Sequence, residues 1–185
     1  LGNTIFLIDN MGKGQPEVLT GLGITKSDVY LVVSEKTGRK ADGRQTYEIN
    51  KAVVSFQPGL EFEINDTTAT IQQIKVGEAV DGYLAPKGDV DFYEFNAYQK
   101  GTIALEFAGV LNIQPTISLF DQEGNELQTW TAAKPGDSLA FEKELEQGTY
   151  AVRLKAAGSE QNNVRDKYGL DTGSGGGPTM GLTAL

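Results

Sequence analysis

Apolar and polar residues alternate with a period of two along much of the chain. The run GTIALEF at 101–107 places Ile103, Leu105 and Phe107 on one face of an extended strand, and TYAVRLKA at 149–156 alternates in the same way. Further runs of strand length are DFYEFNAY, PTISLFD, LQTWTA and SLAFEKEL, with Gly, Pro, Asn and Asp clustered between them. Short strands with frequent turns are typical of a sandwich or jelly roll. We therefore predict an all-β fold, an antiparallel β-sandwich.

We interpret three matched pairs of segments as an internal repeat, with chance similarity of strand-like runs as the alternative. Three segments near the N-terminus match three later segments in the same order, namely NTIFLIDNMG at 3–12 with PTISLFDQEG at 115–124, VYLVVSEKTG at 29–38 with TYAVRLKAAG at 149–158, and TYEI at 46–49 with KYGL at 167–170. A long stretch of strands precedes the matched segments in the second copy, but almost nothing precedes them in the first. We predict that 1–56 are the C-terminal half of a preceding β-domain, 57–171 a complete β-sandwich and 172–185 a Gly-rich tail.

A half sandwich would expose an inner face and open edges, which favours pairing with another chain segment. Either the chain is truncated or another segment fills the gap. The tail alternates Met180, Leu182 and Ala184 after the linker GSGGG. It could be a strand donated to a neighbouring subunit, and a flexible tail is the alternative.

The composition limits the kinds of partner, catalytic site and metal site that the chain can have. The net charge of −9 argues against a nucleic-acid partner, because phosphate binding requires clustered Lys and Arg. The chain has no histidine and no cysteine, which excludes Ser-His-Asp and Cys-His hydrolysis and zinc–sulfur sites. Hard cations with oxygen ligands remain possible. No apolar run approaches the ~18 residues of a membrane span, so we predict none.

The stretch EFEINDTTAT at 61–70 carries candidate metal ligands. Glu61, Glu63 and Asn65 are two residues apart and share one face of a strand, and Asp66 follows directly. Carboxylates this close raise one another's pKa unless a cation neutralises them. Calcium takes about six to eight oxygen ligands of this kind.

A second acidic pair, Asp89 and Asp91 in GDVDFY, could join this group if sheet folding brings the two segments together. The alternative is that all these carboxylates are solvated, with a turn at Asn65 and Asp66.

The order of motifs over residues 60–171 resembles the bacterial pre-peptidase C-terminal domain. The motifs are an acidic Glu-x-Asn-Asp start, a Gly-x-(Leu/Ile) strand, GD-x-D-x-Y, a Leu-x-Asp-x-x-Gly hairpin and a late Gly-x-Tyr-x-(Val/Leu). The sequence departs from the family at Ile64, where proline is usual.

The resemblance implies a β-sandwich accessory module of secreted bacterial peptidases and other exported proteins. Related collagen-binding domains of clostridial collagenases bind calcium through an acidic strand and an Asp pair. The matching positions here are Glu61, Glu63, Asn65, Asp66, Asp89 and Asp91.

Aromatic residues are the candidates for ligand contact. The related collagen binders use exposed tyrosines, which makes Tyr150 and Tyr168 candidates, and Trp130 could line a carbohydrate or peptide groove. Core packing is the alternative for all three.

We therefore expect a non-catalytic accessory or adhesion module, secreted or on the bacterial cell surface. It would be stabilised by calcium and would bind an extracellular protein or polysaccharide, or position a parent enzyme. The alternative is a structural assembly protein completed by strand donation between subunits. Two carboxylates can hydrolyse glycosides without histidine, but the sequence marks out no such pair.

Overall fold

The computed structural model describes residues 4–9, 11–25, 28–40, 42–55 and 57–174. This part of the chain contains eleven strands and no helix, so it holds no helix long and apolar enough to cross a membrane. The strands are β1 (Gly23–Ile24), β2 (Phe62–Glu63), β3 (Gln72–Gln73), β4 (Ala79–Gly82), β5 (Val90–Ala97), β6 (Gly101–Phe107), β7 (Pro115–Phe120), β8 (Glu126–Thr131), β9 (Leu139–Leu145), β10 (Gly148–Ala156) and β11 (Tyr168–Ser174).

Two sheets form the body of the molecule. The larger has the order β3-β5-β10-β7-β8 and the smaller the order β4-β11-β6-β9. All pairs within them are antiparallel except β3 with β5, and β1 pairs with β2 in a separate parallel ladder. The structure thus confirms the predicted all-β antiparallel sandwich.

The core lies between the two sheets and follows the predicted alternation. Leu105 and Phe107 on β6 face Val152 and Leu154 on β10, and all four side chains are at most 1% exposed. Burying one such side chain contributes roughly 1.5–3 kcal/mol. The period of two in the sequence therefore identified both the strands and their inward faces.

The segment before residue 57 behaves differently from its matched partner. Its described residues contain one strand, β1, and the run 29–38 is not in a strand although the matching run forms most of β10. Tyr30, Leu31 and Val32 are 74, 71 and 67% exposed. The division at residue 56 stays a prediction. The last strand ends at Ser174, three residues past the predicted end of the sandwich at 171, and Met180, Leu182 and Ala184 lie outside the described residues.

The N-terminal segment contacts the sandwich beside the acidic strand. A small apolar cluster joins it to the domain, with Phe6, Ile8 and Leu19 packed against Tyr83, Ala85 and Val164. Strand β1 runs parallel to β2, and the backbone N–H of Thr25 donates to the carbonyl oxygen of Glu63 at 3.1 Å. The backbone of the predicted metal-binding strand is therefore covered by the preceding segment.

Candidate metal centre

Three buried carboxylates meet between the sheets. Glu61 and Glu63 are 3 and 2% exposed, and Asp91 on β5 is fully buried. One carboxylate oxygen from each lies within 4.8 Å of those from the other two. The arrangement follows from strand geometry, because residues two apart share a face and Asp91 points inward between the more exposed Val90 and Phe92.

Hydrogen-bond donors surround the carboxylate of Glu61. Its Oε2 accepts the backbone N–H of Tyr83 at 2.8 Å, and its Oε1 accepts the hydroxyls of Tyr93 at 3.0 Å and Tyr168 at 2.7 Å. The side-chain amide of Asn65 approaches Oε1 at 3.4 Å. The hydrogen-bonding capacity of the Glu61 carboxylate is therefore met by donors of the protein alone.

The other polar atoms of the cluster are not satisfied. Tyr168 also lies 2.8 Å from Oδ2 of Asp91, but one hydroxyl proton serves only one acceptor at a time. Among the described residues, Oε1 of Glu63, Oδ1 of Asn65 and Oδ1 of Asp91 are buried without any hydrogen-bond partner. Each buried polar atom without a partner lowers the stability of the fold by roughly 1–3 kcal/mol. Three orphan oxygens from three residues thus lie in one cluster.

Burial and mutual repulsion favour protonated carboxyl groups here. Burial, followed by the charge of Glu61, raises the pKa of Glu63 to about 9 and that of Asp89 to about 8. The same two causes raise the pKa of Asp91 well above its ordinary value. No lysine or arginine in the described residues forms an ion pair with these groups, so no positive side chain in this part of the chain offsets their repulsion.

The remaining predicted ligands lie at the edge of the cluster. Asp66 is exposed and Asp89 is half-buried. Asp89 accepts the backbone N–H groups of Ala85 at 2.6 Å and Val90 at 3.1 Å. Asp66, Asp89 and Glu63 line a cleft of about 260 Å³ whose other wall includes residues of the N-terminal segment. Of the six predicted ligands, the structure brings four together in the interior and places two at the cleft.

Sequence reasoning missed several residues that shape the cluster. Tyr93 is two residues after Asp91 in GDVDFY and therefore shares its face, a signal that was available in the sequence. Nothing in the sequence indicated that Gly82 shapes the cluster. A Cβ there would lie 2.5 Å from the hydroxyl oxygen of Tyr168 and 2.6 Å from Oε2 of Glu61, so the network requires glycine.

Two of the three aromatic ligand candidates, Tyr150 and Tyr168, are buried and need correction. Tyr150 is 8% exposed, stacks on Phe95 and donates its hydroxyl to the carbonyl of Glu146 at 3.0 Å. Tyr168 is 1% exposed and belongs to the acidic cluster. Neither ring can therefore contact a ligand on the sheet surface, and core packing, the alternative, describes both.

Trp130 is half-buried at the side of the sandwich. Its ring stacks on Phe141 with centroids 3.5 Å apart, which joins edge strand β8 of one sheet to edge strand β9 of the other. It packs against the core, so its role as a ligand contact stays a prediction.

Comparison with known proteins gives structural neighbours only. No protein-family model matches the sequence, and no curated protein matches it. The chain is similar in structure to the pre-peptidase C-terminal domain of collagenase from Bacillus anthracis, with a TM-score of 0.47, 17% identity and coverage of 55% of this chain and 93% of that one.

Two further structural neighbours have lower TM-scores. PliG of Aeromonas hydrophila, a periplasmic inhibitor of g-type lysozyme, has a TM-score of 0.40, 13% identity and coverage of 54 and 93%. A family 35 carbohydrate-binding module from Clostridium thermocellum has a TM-score of 0.31, 21% identity and coverage of 50 and 86%. Membership of the pre-peptidase C-terminal family stays a prediction.

Proposed function

We propose that this chain is a non-catalytic binding module of a secreted bacterial protein, stabilised by calcium at the acidic cluster. The observation that supports it is the group of buried oxygens of Glu63, Asn65 and Asp91 that have no hydrogen-bond partner in the described residues. A bound cation would satisfy all three and offset the repulsion between the carboxylates.

The donor set fits calcium. The cluster offers carboxylate and amide oxygens and no nitrogen or sulfur ligand, which suits a hard cation. Glu63, Asn65 and Asp91 would hold the ion together with Glu61, and Asp66 and Asp89 lie at the open side. Calcium tolerates such an irregular oxygen set better than magnesium, which demands near-octahedral geometry.

The ion would supply positive charge between elements that are distant in sequence. Glu63 belongs to β2 and Asp91 to β5 of the larger sheet. Strand β1 of the N-terminal segment pairs with β2. An ion held by Glu63 and Asp91 would therefore also fix the N-terminal segment to the sandwich. An ion that binds only the folded protein raises the free energy of unfolding by about 2.7 kcal/mol when calcium is at 100 times its Kd.

The burial of the cluster argues against catalysis there. Glu61, Glu63 and Asp91 are at most 3% exposed, so no polymer substrate could reach them as the acid and base of a hydrolase. Calcium sites of extracellular modules are weak, with a Kd of about 10⁻⁴–10⁻³ M, and we expect a site of this strength here. The partner would be a polymer of the extracellular space, a protein or a polysaccharide.

Calorimetric titration of chelator-treated protein with calcium chloride tests the proposal. We expect one site with a Kd of about 10⁻⁴ M, weakened at least tenfold in Glu63→Gln and unchanged in the control Glu123→Gln, which changes an exposed residue in the β7–β8 turn. No binding by the wild type, or equal binding by Glu63→Gln, would contradict the metal site.

The exposed apolar residues of the N-terminal segment support a second candidate, assembly by strand donation between subunits. Large side chains at 29–33 and at 47–54 are uncovered, with Val53 88% exposed, and patches of this kind mark interaction surfaces. Light scattering separates the two candidates. The binding module is monomeric, whereas the assembly protein forms larger species that disappear when residues 175–185 are deleted.

A further inference from the structure

One long side of the sandwich is closed by the chain itself. The edge strands there are β3 and β4, one from each sheet. The backbone N–H of Glu61 donates to the carbonyl oxygen of Asp81 on β4 at 3.0 Å. The side-chain amide of Gln72 on β3 donates to the carbonyl oxygen of Leu60 at 2.9 Å. An extended segment of the chain thus bridges the two edge strands.

The opposite side has no such cover among the described residues. Its edge strands are β8 and β9, and each is paired with one neighbour only. The rings of Trp130 on β8 and Phe141 on β9 stack between the sheets, and with Leu139 they are only partly buried. Leu105, on the neighbouring strand β6, is completely buried. We call the surface formed by Trp130, Leu139 and Phe141 the open side.

The chain that follows the last strand has the pattern of a further strand. Strand β11 ends at Ser174, and the sequence continues with three glycines, a proline and TMGLTAL. Met180, Leu182 and Ala184 alternate with threonine and glycine, which is the period of a strand with one apolar face. No side chain in 175–185 is charged, so burying the apolar face requires no charge to leave water.

This segment begins within reach of the open side. Ser174 is opposite Ile103 on β6, and Ile103 is opposite Lys143 on β9. The position of a strand added to β9 is therefore three strand spacings from Ser174, or about 14 Å. The six residue steps from Ser174 to Met180 span up to about 20 Å when extended. The glycines at 175–177 also allow the chain to turn.

We propose that residues 179–184 add as a strand to the free edge of β9 in the same chain and cover the open side. Because β11 and β9 are both antiparallel to β6, a chain that turns back after Ser174 runs antiparallel to β9. Leu182 would then pack on Trp130 and Phe141, and the threonines would face solvent.

The edge of β9 in the same chain is favoured over the other acceptors. An unpaired edge leaves backbone N–H and C=O groups free for a further strand. Strand β9 belongs to the same sheet as β11, whereas β8 lies in the other sheet. The short connection gives the segment a high effective concentration at its own sandwich, which a second copy of the chain does not match in dilute solution.

Quenching of tryptophan fluorescence by acrylamide tests the proposal, because Trp130 is the only tryptophan. Deleting residues 175–185 should raise the quenching constant roughly twofold and move the emission to longer wavelength, since the ring loses its apolar cover. Leu182→Asp should have the same effect. Thr183→Asp is the matched control, because it adds the same charge on the solvent face of the proposed strand, and it should be quenched as the wild type is.

A cooperative melting transition in each variant shows that the sandwich is folded. Equal quenching of the wild type and the deletion variant, or equal effects of Leu182→Asp and Thr183→Asp, would overturn the proposed strand. Repeating the measurement at decreasing protein concentration identifies the chain that supplies the cover. Protection of Trp130 should not change on dilution, and its loss would overturn the proposal in favour of a strand from a second copy.

Discussion

Glu61 and Glu63 are two residues apart, share one face of the acidic strand and are buried to the same degree, yet their surroundings differ. Glu61 accepts hydrogen bonds from a backbone amide and two tyrosine hydroxyls. Glu63 has a buried oxygen without a partner in the described residues, and it faces the cleft beside Asp66 and Asp89. Equal burial therefore does not mean an equal role. Glu61 is a structural carboxylate even without an ion, whereas Glu63 needs either a proton or a cation.

The largest expected effect of a single substitution is that of Glu61→Ala. The substitution removes the acceptor of the buried Tyr83 N–H and Tyr93 hydroxyl and leaves Tyr168 with Asp91 as its acceptor, which should lower the free energy of unfolding by about 3 kcal/mol or more. The loss should occur both in calcium and in chelator, because these bonds need no metal. Urea unfolding in both conditions measures it. A loss seen only in calcium would show that Glu61 acts chiefly as a metal ligand.

The pH dependence of the metal-free protein should be opposite in sign to that of an ordinary salt-bridged carboxylate. The pKa of Glu63 is raised from 4.5 to about 9 in the folded protein, and that of Asp89 from 3.8 to about 8. The unfolded chain releases these protons first, so stability is fully present below about pH 4 and is lost as the pH rises through 8 to 9.

Melting curves in chelator should therefore show a midpoint that falls by roughly 5 °C or more between pH 5 and pH 9. Calcium should reduce the fall, because the ion binds the ionised carboxylates. A midpoint that rises over this range in chelator would contradict the raised pKa values.

The smallest expected effect is that of Asp66→Asn. The side chain is exposed, so the free energy of unfolding in chelator should change by less than about 0.5 kcal/mol. Calcium affinity should fall only a few-fold, since the residue lies at the cleft and not among the buried oxygens. A loss of affinity as large as that of Glu63→Gln would place Asp66 among the direct ligands.

The sequence predicted the sandwich strands well because the alternation reflects burial directly. The runs around Leu105 and Val152 form β6 and β10, and their apolar residues face the core. The grouping of Glu61, Glu63 and Asn65 followed from the same period of two. These features depend only on which face of a strand a side chain occupies.

Other features depend on neighbours that a local pattern does not specify. Tyr30 and Tyr150 occupy matching places in the predicted repeat, but Tyr30 is 74% exposed and Tyr150 is 8% exposed, because only Tyr150 belongs to a strand that is paired on both sides. The donors around Glu61 come from the residue that follows β4, from β5 and from β11, and no spacing rule connects these elements. The difference between Glu61 and Glu63 arises only when the chain folds.

The most direct test of the account is the melting temperature of the wild type and Glu63→Gln, each in calcium and in chelator at pH 8. We predict that calcium raises the wild-type midpoint by several degrees and leaves that of Glu63→Gln unchanged. In chelator, Glu63→Gln should melt above the wild type, because at pH 8 the wild type must take up a proton at Glu63 to fold and glutamine avoids this cost. A calcium shift of equal size in both proteins, or no shift in the wild type, would contradict the claim that the oxygens around Glu63 form a calcium site.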